Sequence, residues 1–404
     1  MSKEYDYVVI GLGGIGSATL YWLTKNAPRS RILGIEQFEL THKNGGSEDW
    51  SRIVRKKGHY VQLPIYSGIA AEFDGAWAEI EKDSGLRLVK RCGGLFFTDG
   101  RTTREKYDEA RKVVSDLPEG CQRMTAKEIM EKWPGTIQLD ESAFGYYEAE
   151  AGLVDAALAN AVHRQTAQGN GAVITANTKV FSMQRTADGK TRIATSKGDF
   201  TAGKVVVTSG AWTNQVLAST GVHIPLHVTQ ENVTYFSTPN LRLYSSDNFP
   251  ITIYMGPHCD VYSLPVYGQA AFKIGCDAAG PETTGDTRNF VPDHRRESYL
   301  SAFVKHYFPK AHGPVLETKT CLYTMTNDRH FVVDSLASRG HPNIFVCVGA
   351  GHGFKFAAVF GKILSEMAAK GGTKTDISGL NLDRPAITDS NFPFWRDPAA
   401  IAKI

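Results

Sequence analysis

The chain has 404 residues, of which 42% are hydrophobic and 22% charged, with a formal net charge of +3. This length exceeds a typical single core and points to two structural domains. The composition is that of an ordinary globular protein, and the small charge excludes the electrostatic footprint of a nucleic-acid binder. No apolar run is long enough to span a bilayer, and the N-terminal residues run straight into a strand-like segment with no secretory signal. Cys92, Cys121, Cys259, Cys276, Cys321 and Cys347 are scattered and form no C-x-x-C pair. That pattern argues against a zinc knuckle or a disulfide scaffold and for reduced thiols inside a cell, the cytoplasm being expected.

In chain order, the first element is a short β-branched run, Tyr7-Val8-Val9-Ile10, which reads as a buried parallel strand. Gly11-Leu12-Gly13-Gly14-Ile15-Gly16 follows at once, then a helix over Ser17–Lys25 and a second strand, Arg31–Ile35, ending at Glu36. Each part has a physical role. Gly11 permits the tight turn, Gly13 lets backbone approach a pyrophosphate, and Gly16 lets helix and strand pack closely. The helix N-terminus offers free N–H groups to phosphates. A carboxylate at Glu36 accepts hydrogen bonds from a ribose and repels the extra phosphate of NADP. The spacing specifies a dinucleotide site without separating FAD from NAD.

Further along, Arg52 and Arg55 are three apart, so on a helix they would share a face. Arg104–Leu117 and Thr125–Lys132 read as polar, exposed helices. Lys273 sits in an apolar strand-like segment, Ala270–Ile274, where burial is costly without a partner unless the strand is an edge. Phe356, Val359, Phe360, Ile363, Leu364 and Met367 form an apolar helical stripe, which is core. Before it, Gly351 and Gly353 free backbone N–H groups able to stabilise negative charge. Lys355, in the first turn, opposes the helix dipole and calls for an anionic partner. Asp383–Ile404 reads as loop. Its last residues, Ala402-Lys403-Ile404, loosely resemble a peroxisomal address, which leaves a peroxisomal location open.

Five segments carry a family resemblance: His42–Arg55, Val205–Thr213, the pair Tyr262–Pro265 and Phe272–Gly275, Thr320–Thr324, and Gly351–Phe356. In that order, over nearly the full length, they resemble the sarcosine oxidase, pipecolate oxidase and N-methyltryptophan oxidase family. These are FAD oxidoreductases of the D-amino-acid-oxidase group. The resemblance implies an α/β fold with a Rossmann-like, glutathione-reductase-type FAD domain and a mainly antiparallel substrate domain. It implies FAD-domain segments 1–85, 150–220 and 321–390, substrate-domain segments 86–149 and 221–320, and a tail from 391 to 404.

The resemblance also implies roles. Cys321 would carry FAD through a covalent thioether. Arg55 and Lys355 would clamp a substrate carboxylate, with Tyr323 and Tyr262 lining the pocket. Arg52 would pack against the flavin, and Lys273 would promote its reaction with O2. Asp277 stands where sarcosine oxidase has a histidine, and Ser47 and Glu48 replace two adjacent histidines. These departures predict a more acidic pocket and a substrate larger or more cationic than sarcosine. The implied activity is oxidation of a secondary amino acid to an imine, with O2 reduced to H2O2, by a monomer whose partners are the substrate and O2, with no nucleic acid or membrane. A flavin dehydrogenase using another acceptor and a non-catalytic FAD-binding protein share this fold. An NAD-dependent dehydrogenase would leave the Cys321 segment unused.

Overall fold

The computed structural model describes residues 3–55 and 64–396. Strand β1 (Glu4–Ile10), helix α1 (Gly14–Asn26) and strand β2 (Ile32–Ile35) form the first unit. β1 pairs in parallel with β2 on one side and with Phe200–Val207 on the other. Val8, Val9 and Ile10 are buried, as expected of a parallel strand covered on both faces. Among the described residues this sheet has eight strands. Val173–Thr175 extends it in parallel beyond β2, and His341–Gly349 pairs in parallel with Phe200–Val207. The Thr191–Thr195 strand and the Phe331–Leu336 strand add antiparallel neighbours.

Helix Ala357–Lys370 lies across α1. Its stripe Phe356, Val359, Phe360, Ile363, Leu364 and Met367 is buried, together with residues of Pro64–Ser84 (α2) and Ala156–Gly169. Its start differs from expectation. Phe354–Phe356 is a tight 3-10 turn, so Lys355 precedes the α-helix proper.

The second sheet has nine strands among the described residues and is antiparallel except where Gly94–Thr98 runs parallel to Ile251–Tyr254. Its core gathers Phe272, Phe308 and Tyr254 against Phe303 of helix His294–Tyr307. The expected polar helices are present as Arg104–Ser115 and Ala126–Lys132. The strand Val315–Met325 pairs along most of its length with His227–Ser237, so it runs through the position expected to divide the two domains.

A small third sheet joins strand β3 (Arg52–Val54) to Gly152–Val154 and to Val89–Lys90. Arg52 and Arg55 therefore do not share a helix face. Backbone pairing with a segment a hundred residues later overrides local spacing. No helix among the described residues is long and apolar enough to cross a membrane.

Candidate active site

The turn between β1 and α1 is built by close contacts. Gly11 has φ of +90°, and a Cβ there would meet the Ser209 backbone at 2.8 Å. A Cβ on Gly16 would collide with the Gly11 carbonyl, and one on Gly13 would lie 2.7 Å from Ser47 Oγ. Glu36 is buried and accepts from the Leu12 amide at 2.8 Å and the Phe38 amide at 3.1 Å. Burial works against its charge, but these bonds and His42 hold the carboxyl below its ordinary range.

A cleft is lined by this turn (Gly11, Gly13), by Glu36 and Trp212, and by Leu322, Gly351, Gly353 and Phe354. A cradle that side chains would fill, with an acid in its lining, fits a dinucleotide. The extension to Leu322, beside Cys321, fits the longer reach of FAD.

Beyond Leu322 lies a buried charge cluster centred on Asp49, a residue to which the sequence assigned no role. Asp49 Oδ2 is 2.6 Å from Lys273 Nζ and 3.0 Å from Arg52 Nη1. Its Oδ1 accepts from the Tyr235 hydroxyl at 2.6 Å and lies 3.4 Å from Lys319 Nζ. Burial would raise the Asp49 carboxyl, but Lys273 and Arg52 outweigh it and hold it well below the usual carboxylate range. Lys273 is 2% exposed and sits on an interior strand, between His227–Ser237 and Val261–Leu264, so it is not an edge lysine. Three cations face one carboxylate here, and Lys319 also reaches Glu317. Arg52 further donates to the Gly46 carbonyl at 3.1 Å, which ties the cluster to the cleft.

Cys321 is half-buried and packs against the group Val233, Tyr235 and Ala271. Burial pushes its thiol up to about 11, against the pull of Arg52. Tyr262 packs on Gly275, and Tyr323 packs on Gly351. Burial raises both phenols, and each feels Asp277. The structure therefore brings Arg52, Lys273, Cys321, Tyr262, Tyr323 and Asp277 into one neighbourhood.

Arg55 follows β3 directly, and β3 lies against the Phe354–Phe356 turn that carries Lys355. The Arg55 guanidinium stands 5.4 Å over the Phe96 ring. Lys355 is buried, and its Nζ donates to the His352 carbonyl at 2.6 Å.

The expected acidity takes a different form. Asp277 is paired with Arg329, at 2.6 and 2.7 Å, which offsets its charge. Ser47 lies against Gly13, and Glu48 is reached by Asn160 at 3.4 Å. Asp260 is an additional acid nearby. Burial, then the charge of Asp277, pushes it up to about 6, against Lys106, Arg55 and Arg329.

Asp49 had one local signal, its i,i+3 spacing to Arg52. Tyr235, Lys319, Arg329 and Asp260 had none, because their partners are distant in sequence. The tripeptide Ala402-Lys403-Ile404 lies outside the described residues.

The chain is 30% identical to a monomeric sarcosine oxidase of Bacillus sp. (strain B-0618), over 96% of its own length and 98% of that protein. It is 29% identical to the human peroxisomal sarcosine oxidase, over 94% of its own length and 96% of that protein. Its fold is similar to that of NikD, described as an unusual amino acid oxidase essential for nikkomycin biosynthesis, with a TM-score of 0.80 and 23% identity over 94% of this chain and 97% of that one. Residues 6–367 match the family model described as DAO, FAD dependent oxidoreductase. The chain belongs to this family of FAD dependent oxidoreductases.

Proposed function

We propose that the protein oxidises a secondary amino acid, N-alkylated or cyclic, to its imine and reduces O2 to H2O2. One observation carries this reading. A surplus of positive charge, half-buried Arg52 and buried Lys273 around Asp49, lies beside Cys321 and two half-buried tyrosines, Tyr262 and Tyr323, next to the FAD cleft. The named activities of the sarcosine oxidases support it.

When bound, FAD supplies the two-electron oxidising group, which the protein only positions. Gly11, Gly13, Gly16 and Glu36 hold its nucleotide half, and Gly351 and Gly353 leave backbone N–H groups near its other end. Cys321 holds it through a thioether. Arg55 and Lys355 bind the substrate carboxylate, with Arg's planar fork suited to two oxygens. Tyr262 and Tyr323 wall the amine side, and Asp277, held by Arg329, closes it. The substrate loses two electrons and two protons, which O2 accepts. Lys273 and Arg52 place fixed positive charge where negative charge develops during that transfer. In this reading the eight-stranded sheet holds FAD and the nine-stranded sheet covers the substrate.

The test is H2O2 formation by the purified protein with sarcosine, pipecolate and N-methyl aromatic amino acids, together with acid precipitation. Yellow colour should stay with the pellet and move to the supernatant in Cys321→Ser. A protein that turns over none of these amines, aerobically or with an artificial electron acceptor, would overturn the substrate class. Flavin released from the wild type would overturn the thioether.

A further inference from the structure

Arg288 is 6% exposed and lies outside every motif considered above. Its guanidinium joins two segments far apart in sequence. Nη1 donates to the Asn44 carbonyl at 2.6 Å and lies 3.5 Å from the Lys43 carbonyl. Nη2 donates to the Thr320 carbonyl at 3.0 Å and to Thr320 Oγ1 at 2.7 Å. The first segment leads into Gly45 and Gly46, which line the FAD cleft, and the second carries Cys321.

Other features show that the joint is built. The Phe290 ring lies 4.0 Å from the guanidinium carbon, and Asn289 accepts from Gln230 at 2.8 Å. The Leu322 amide donates to the Gly45 carbonyl at 3.4 Å, and a Cβ on Gly46 would strike the Leu322 carbonyl. Arg52 holds the same loop from its other end through the Gly46 carbonyl. Arg288 Nε is buried with no hydrogen-bond partner, so the site bears a desolvation cost that a surface arginine avoids.

We propose that Arg288 is a positioning residue for covalent attachment of FAD, pinning the Cys321 strand to the cleft loop so that the thiol is held at the bound cofactor. This rests on the reading that Cys321 carries the thioether. Attachment replaces one S–H and one methyl C–H by a C–S bond. The two protons and two electrons released leave with O2 as H2O2. Only a planar fork spans both segments, so lysine is not equivalent.

The experiment compares wild type, Arg288→Gln, Arg288→Lys and Thr320→Val by acid precipitation, with total FAD content and melting temperature measured on the same samples. The expected result is that both Arg288 variants bind FAD but release most of it to the supernatant. Incubation with FAD in air should convert them to the covalent form more slowly than wild type. Thr320→Val, which removes one of the acceptors, should show a smaller loss at unchanged melting temperature. A wild-type covalent fraction in Arg288→Gln overturns the proposal. If Arg288→Gln does not fold, an undiminished covalent fraction and attachment rate in Thr320→Val overturn it instead. Wild-type flavin that is itself released overturns the thioether reading, an outcome visible without any Arg288 variant.

Discussion

Lys273 shows what one buried residue contributes. Burial pulls its ammonium down, Asp49 pushes back, Arg52 adds to the pull, and the balance lies at about 8. The charge is therefore lost within an accessible pH range. The rate at which the reduced enzyme reacts with O2 should fall as pH rises through about 8, because neutral lysine stabilises no developing negative charge. Lys273→Met should remove that transition and slow reoxidation more than reduction. Asp49→Asn should move it to lower pH by deleting the counter-charge. Stopped-flow traces of each half-reaction across pH 6 to 10 decide this, and an unchanged transition in Lys273→Met would refute the assignment. The stability signs are opposite for the two partners. Asp49, held below its ordinary 3.8, stabilises the fold above that pH and loses the effect in acid. Lys273, held below its ordinary 10.5, disfavours folding fully below about 8, and that cost fades as pH rises to 10.5. The sequence made Lys273 legible as a costly cation but hid its partner. Lys273, Tyr235 and Lys319 stand 224, 186 and 270 residues from Asp49.

Elements with local signals were legible. The β1–α1–β2 unit is written in consecutive glycines and β-branched residues, and the stripe of Ala357–Lys370 in its period. Elements set by distant pairing were not. Arg52–Val54 is a strand because Gly152–Val154 pairs with it. Gly361, inside a helix, carries a constraint visible only after folding. A Cβ there would lie 2.6 Å from the Ala18 backbone and side chain in α1. Gly→Ala in a helix interior stabilises by about 0.5–1 kcal/mol through propensity, whereas overpacking a tight contact costs about 1–3 kcal/mol. The contact should win, because Ala18 opposes with backbone as well as its methyl. Gly361→Ala is therefore expected to lower the melting temperature. It should also weaken non-covalent FAD retention, measured in the Cys321→Ser background by fluorescence of released flavin, because α1 begins at the nucleotide turn. A melting temperature at or above wild type would show that the helices separate at no cost.

At the scale of the whole molecule, the end of the described chain returns to the site. The sequence marked Asp383 onward as loop, and from the short helix Pro385–Thr388 to residue 396 the described chain is irregular. Composition could not show where it docks. Phe394 stacks on His227 with ring centroids 4.0 Å apart, the Trp395 amide donates to the Asn327 carbonyl at 2.9 Å, and Arg396 donates to the Gly280 carbonyl at 2.8 Å. The Trp395 ring lies 4.4 Å from the guanidinium carbon of Arg329, which grips Asp277. A chain of contacts thus links this segment to the wall beside Tyr262 and Tyr323. A guanidinium stacked on an indole is restrained in plane, which fixes the pair it makes. Trp395→Ala should loosen Arg329 and blur the wall while leaving the FAD cleft untouched. The expected outcome is a raised KM for the amine, with kcat at saturation and FAD content close to wild type. Arg329→Ala should reproduce it and also free the charge of Asp277, so that a cationic substrate analogue binds better than in wild type. A lowered melting temperature with an unchanged KM in Trp395→Ala would instead make the segment a packing element, and the Asp277 carboxylate would then be oriented by Arg329 without help from Trp395.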